Sequence, residues 1–155
     1  MQLDPLPQHG EASRAFSMLK VAFWLTVIGF SVWTGAQVFH AHYINWKIED
    51  VFHGVVKNMR DASGVEIREQ LPKLYKINYL APSDLPEEFR DNLLIRREGE
   101  LLEISSVYSV VIWPFGPVQQ LDESGEYDPD QLEGMDIVRD KSRIDIKFEP
   151  YAFSE

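Results

Sequence analysis

The chain has 155 residues, 45% hydrophobic and 26% charged, an ordinary globular balance with room for one domain beyond a membrane segment. It holds no cysteine, which excludes disulfide frameworks, thiolate nucleophiles and cysteine-held zinc or iron–sulfur centres. A formal charge of −10 with no basic run argues against nucleic acid as a partner, because Lys and Arg on phosphates supply most of that binding free energy.

Residues 1–20 read as an N-terminal tail. Pro5, Pro7 and Gly10 punctuate it, no periodicity precedes Glu11, and alone it is expected to be disordered. A transmembrane helix is expected over residues 21–43. No residue between Lys20 and Lys47 is formally charged, and Val21 to Phe39 covers roughly 28 Å as a helix, close to the hydrocarbon thickness. Its polar members, Thr26, Ser31, Thr34 and Gln37, can bond their own helix or lie near an end. Phe23 and Trp24 at one boundary and His40, His42, Tyr43 and Trp46 at the other match interfacial anchoring. A secretory signal peptide is the competing reading, with Thr34-Gly35-Ala36 as a tolerable cleavage site. With Met1 and the apolar segment both in place, the expectation is an uncleaved single pass. Arg14 and Lys20 precede it and Lys47, Lys57 and Arg60 follow, a nearly balanced count. Lys20 at the boundary and the acid excess of the larger part favour a cytoplasmic N-terminus and a periplasmic domain in a bacterial inner membrane.

The soluble part, residues 44–155, begins with Ile44, Ile48, Val51, Phe52, Val55 and Met59 at helical spacing, so the span is expected to continue as an amphipathic helix towards Asp61. That apolar stripe is expected to be covered by the protein's own sheet. Ser63-Gly64 ends the helix, and a second fits Val65 to Tyr75 despite Pro72. Ser83 to Glu88 has the cap, early proline and first-turn acids of another helix start. From Leu93 the period becomes two. Strands are expected at 93–97, 102–112, 118–121 and 143–149, with a tight turn at Glu98-Gly99-Glu100. Residues 122–141, acidic and turn-rich, read as an extended surface loop or hairpin insertion. The fold class is therefore α+β, a helix packed on a small antiparallel sheet of about four strands.

The motifs Val65-Glu66-Ile67-Arg68 with Leu71, Ile77-Asn78-Tyr79, Leu94 to Gly99, Val107-Tyr108-Ser109-Val110 and Ile112 to Val118 resemble the bacterial inner-membrane family called domain of unknown function 4845. The resemblance spans roughly residues 15 to 150. It implies a small membrane-anchored α+β protein with no assigned activity, and the acidic insertion departs from that pattern.

Chemistry finds little to work with. His40 and His42 point about 200° apart on a helix and cannot share an ion. Asp122, Glu123, Glu126, Asp128 and Asp130 lack the ligand order and central glycine of a calcium loop. No serine sits in a nucleophile elbow, and Glu87 and Glu88 diverge. No catalytic residue, metal or cofactor is expected. His40, four residues after the small Ala36, is the one candidate pigment ligand, as in antenna polypeptides that bind bacteriochlorophyll or in a haem site. The leading expectation is a non-catalytic accessory or structural subunit of a larger membrane complex of respiratory, photosynthetic or export type. Its partners would be the lipid bilayer and other subunits, with Trp24, Gly29, Trp33 and Gly35 making the lateral contact. An antenna-like pigment protein and an exported enzyme or ligand-binding domain are the alternatives.

Overall fold

No proline interrupts the chain from Gly10 to Asn58, and in the computed structural model these residues form one helix, α1. Residues 10–154 are described, with side chains from Met18 onward. The helix starts ahead of the expected span, and residues 1–9 of the expected tail lie outside the described residues. The chain divides into two compact units, one up to Gln37 and the other from Val38.

In the first unit the sequence is apolar on every side. An 18-residue window reaches mean hydropathy 1.4, and none of it is buried. Thr26 and Ser31 donate to the carbonyls of Ala22 and Val27 at 3.0 and 2.8 Å, so two of the polar side chains are satisfied within the helix.

In the second unit α1 carries the expected stripe. Ile44, Ile48, Val51, Phe52, Val55 and Val56 are buried, and Asp50, His53 and Lys57 face out. Each such side chain contributes roughly 1.5–3 kcal/mol by leaving water, so packing rather than propensity holds these turns. The stripe is covered by the protein's own elements. Helix α2 (Gly64–Ile77), capped by Ser63 through a 3.2 Å bond from the Glu66 amide, supplies Ile67, Leu71 and Tyr75. Helix α3 (Glu87–Asp91) supplies Phe89. Phe89 lies 6.1 Å from Phe52, 6.1 Å from Tyr75 and 5.5 Å from Tyr108, at the centre of an aromatic cluster.

The sheet differs in detail from the sequence expectation. Strands β1 (Leu94–Glu98), β2 (Leu101–Ser105) and β5 (Tyr151–Phe153) form one antiparallel sheet in the order β1-β2-β5; β3 (Tyr108–Ile112) pairs β4 (Ile144–Phe148). Ile104 faces Ala152, Tyr108 faces Phe148 and Ile112 faces Ile144, so the two ladders share one register. The Ser106 amide donates to Pro150 O at 3.1 Å across the gap. Pro150 has no N–H to return the second bond, and the long ribbon is interrupted there. Inward alternation of Leu102, Ile104, Tyr108 and Ile112 is as the period of two requires. Gly99, φ +65°, opens the two-residue β1–β2 turn; a positive φ at the first central position alone is the mark of a type II′ turn. Arg96, Arg97 and Glu98 charge the β1 edge, which discourages pairing with another chain.

The expected strand at 118–121 is not a strand. Its backbone is used otherwise: the Gln120 amide donates to Asp136 Oδ2 at 3.1 Å and the Leu121 amide to Gln119 O at 3.0 Å. Nor are residues 122–141 loop or hairpin throughout, because helix α4 (Met135–Ser142) begins within them. Buried Asp136 also accepts from Arg139 Nη1 at 2.7 Å. Arg139 and the amides of Gln119 and Gln120 hold this carboxyl below the usual aspartate range. Its contribution is complete above the ordinary aspartate pKa and is lost as pH falls through the lowered value. Acid titration followed by circular dichroism or NMR of α4 should show release of that helix below the ordinary range. An Asp136→Asn chain should lack the step; an identical acid limb in both would refute the assignment.

One polar pair sits inside the core. Asn45 accepts from Tyr108 Oη at 3.2 Å and donates to Glu49 Oε1 at 2.8 Å. Burial raises the Tyr108 phenol, with Glu49 adding to it. Asn45→Leu should cost about 1–3 kcal/mol through the orphaned hydroxyl, and Tyr108→Phe in that background should restore part of the loss. Denaturant midpoints of the two variants check this; equal midpoints would show that the bond contributes nothing.

Candidate functional site

A groove lies in the second unit, between α2, the connection after it, and α3. Two features of the sequence open it. Pro72, inside α2, withholds an N–H and presents its ring outward. After α2 the chain turns through Tyr79, whose φ of +57° is the only positive value at a described non-glycine residue. Such a conformation costs of order 1–3 kcal/mol and needs support. The Leu80 amide supplies some by donating to Tyr75 O at 2.9 Å, and Lys47 Nζ more by donating to Asn78 O at 2.9 Å. The Lys47 ammonium also lies 4.8 Å from the Tyr43 ring centre and 5.4 Å from that of Tyr79.

The result is a groove of about 910 Å³. Leu71, Pro72, Tyr75, Leu80, Leu85 and Phe89 make an apolar wall, and Arg68, Lys76 and Arg90 stand along it. All three cations are exposed, and among the described residues none has an ion pair. One guanidinium nitrogen of Arg68 donates to Leu93 O at 3.0 Å and one of Arg90 to Leu85 O at 3.3 Å. Each arginine is thus held in place with further N–H donors left over. Tyr75, part of the wall, has a buried hydroxyl without a hydrogen-bond partner, and burial pushes its phenol up.

The residues singled out from sequence lie elsewhere. Trp24 and Trp33 are 61% and 63% exposed on the first unit, and a side chain added at Gly29 or Gly35 would meet nothing within 4 Å. His40 is exposed at the start of the second unit and Ala36 is exposed near the end of the first; His42 instead packs edge-on against Phe148 at 5.1 Å. Among the described residues no three metal-binding side chains gather. Asp122 closes its own turn, accepting from Ser124 N, Ser124 Oγ and Glu126 N at 2.8, 2.6 and 2.9 Å. Those bonds, the Ser124 hydroxyl first among them, hold its carboxyl below the usual aspartate pKa and fill the carboxylate locally.

No family model, curated protein or solved structure matches this chain. The groove had one legible trace in sequence: Arg68, Lys76 and Arg90 each follow an apolar or aromatic residue that packs inward, Ile67, Tyr75 and Phe89. Their convergence needed the turn at Tyr79, which no spacing rule announces.

Proposed function

We propose that this protein is a non-catalytic, membrane-anchored accessory or structural subunit of a larger membrane complex. One observation carries the reading. Among the described residues, none in the 18-residue apolar window of α1 is buried, and Leu25, Ile28, Val32 and Trp33 are between 56% and 66% exposed. Water does not tolerate such a surface, and a hydrocarbon solvent does. A buried core helix would instead be covered by its own chain.

In this reading residues 21–43 cross a bacterial inner membrane with the N-terminus cytoplasmic, and residues 44–155 lie on the periplasmic side. Trp24, Gly29, Trp33 and Gly35 face neighbouring spans, where small residues allow close approach and indoles fill the gaps. Membrane fractions washed with alkaline carbonate should retain the full-length chain. A soluble product starting after Ala36 would establish a signal peptide instead. Purification in mild detergent should bring down other spanning subunits, and a monomer without companions would sink the subunit role. A colourless preparation would remove pigment binding at His40.

A further inference from the structure

We infer that the groove between α2 and α3 binds a single-chain anionic amphiphile, a fatty acid or a lipid of like chemistry, with its acyl chain along the apolar wall and its head among Arg68, Lys76 and Arg90.

Charge complementarity comes first. In a chain of formal charge −10, three cations without carboxylate partners border one apolar groove. Solvated surface cations normally scatter among acids; a basic rim on an apolar wall is what an acid with a long chain needs. Volume agrees, since about 910 Å³ lies within the range of pockets that enclose drug-sized and larger ligands.

The state of the backbone separates an acyl chain from an extended peptide. The Leu80 amide is taken by Tyr75 O and the Ala81 amide by Asp84 Oδ2 at 2.8 Å. Leu85 O and Leu93 O accept from the two arginines. Pro72 and Pro82 have no N–H to offer. An added strand binds through main-chain hydrogen bonds, and these groups are already used. Apolar contact and positive charge remain, the two things a fatty acid recognises.

Access has a structural basis in the same unit. Lys47, which holds the Asn78 end of the groove, follows Phe39, Tyr43 and Trp46; Phe39 lies 6.3 Å from each of the other two rings. Such a cluster of aromatics beside a lysine suits the headgroup level of a bilayer, where free fatty acids reside.

Full-length protein in amphipol, with radiolabelled palmitate, provides the test. Saturable binding of one palmitate per chain is expected. Hexadecanol, with the chain but no charge, should compete at least tenfold more weakly, and inorganic phosphate should not compete. Two independent alterations should each weaken binding tenfold or more while circular dichroism stays unchanged: the exposed pair Arg68→Glu with Arg90→Glu, and Ala81→Trp, which fills the groove from an exposed wall position. Unsaturable uptake, or binding unaltered in both folded variants, would mean partition into the amphipol and overturn the assignment. Displacement by an acidic amphipathic helical peptide at lower concentration than unlabelled palmitate would overturn it too, in favour of a protein partner.

Discussion

Replacing both Ile28 and Val32 by lysine is expected to move the full-length protein out of the carbonate-resistant membrane fraction. Both residues flank the middle of the apolar run and are exposed, at 56% and 66%, so neither change removes a packing contact within the chain. A lysine at the centre of a spanning helix costs about 2.5–3.5 kcal/mol on insertion scales, while Ile and Val contribute a few tenths favourably. The pair therefore removes roughly 6 kcal/mol or more, enough to invert a partition that favours the bilayer by less. Quantitative blotting of the pellet and supernatant after alkaline extraction reads the outcome. A control with two lysines at His53 and Lys57's exposed neighbour Asn58 should stay in the pellet, since those positions face water on the second unit. Retention of the Ile28/Val32 variant would refute a spanning role for this helix.

The second large effect concerns the core. Phe89→Ala should destabilise the second unit by about 3–5 kcal/mol, the range for deleting a fully buried ring. Phe89 is 0% exposed and contacts Phe52, Tyr75 and Tyr108, rings drawn from α1, α2 and β3. Its carbonyl also accepts from Ser106 Oγ at 2.7 Å, tying α3 to the sheet. The backbone bond survives the mutation, so the loss measures packing. Phe89→Leu, which keeps most of the volume, should cost ~1.5 kcal/mol. Chemical unfolding in detergent, followed by near-ultraviolet circular dichroism, distinguishes the two. Equal midpoints for Ala and the parent would show that this ring does not organise the core.

Both expectations depend on features of different legibility. The apolar run, the stripe from Ile44 to Val55 and the alternation from Leu102 to Ile112 were all plain in the sequence, because a helix or strand imposes its own period on the residues it buries. The break at Ser106 was not plain. It comes from Pro150, a residue more than forty positions away, and only strand pairing sets those two opposite each other. Helix α4 was hidden as well. Its two acids, Arg139 and Lys141 look like a solvated run until Asp136 is seen accepting from Gln120 and Arg139.

The sequence by itself determined that one apolar helix leads into an α+β unit, that the unit is acidic, and which side chains of α1 and β2–β3 face inward. Periodicity and composition are local properties, and residue order records them directly. Tertiary structure alone decided that Arg68, Lys76 and Arg90 border a common groove, that Phe89 joins three elements, and that the Gln120 amide serves Asp136 of α4 instead of a strand. Those are meetings between distant segments. They follow from the positive φ of Tyr79, the missing N–H of Pro150 and the bonds that Lys47 and Asp136 make across the fold, where no repeating pattern exists to be read.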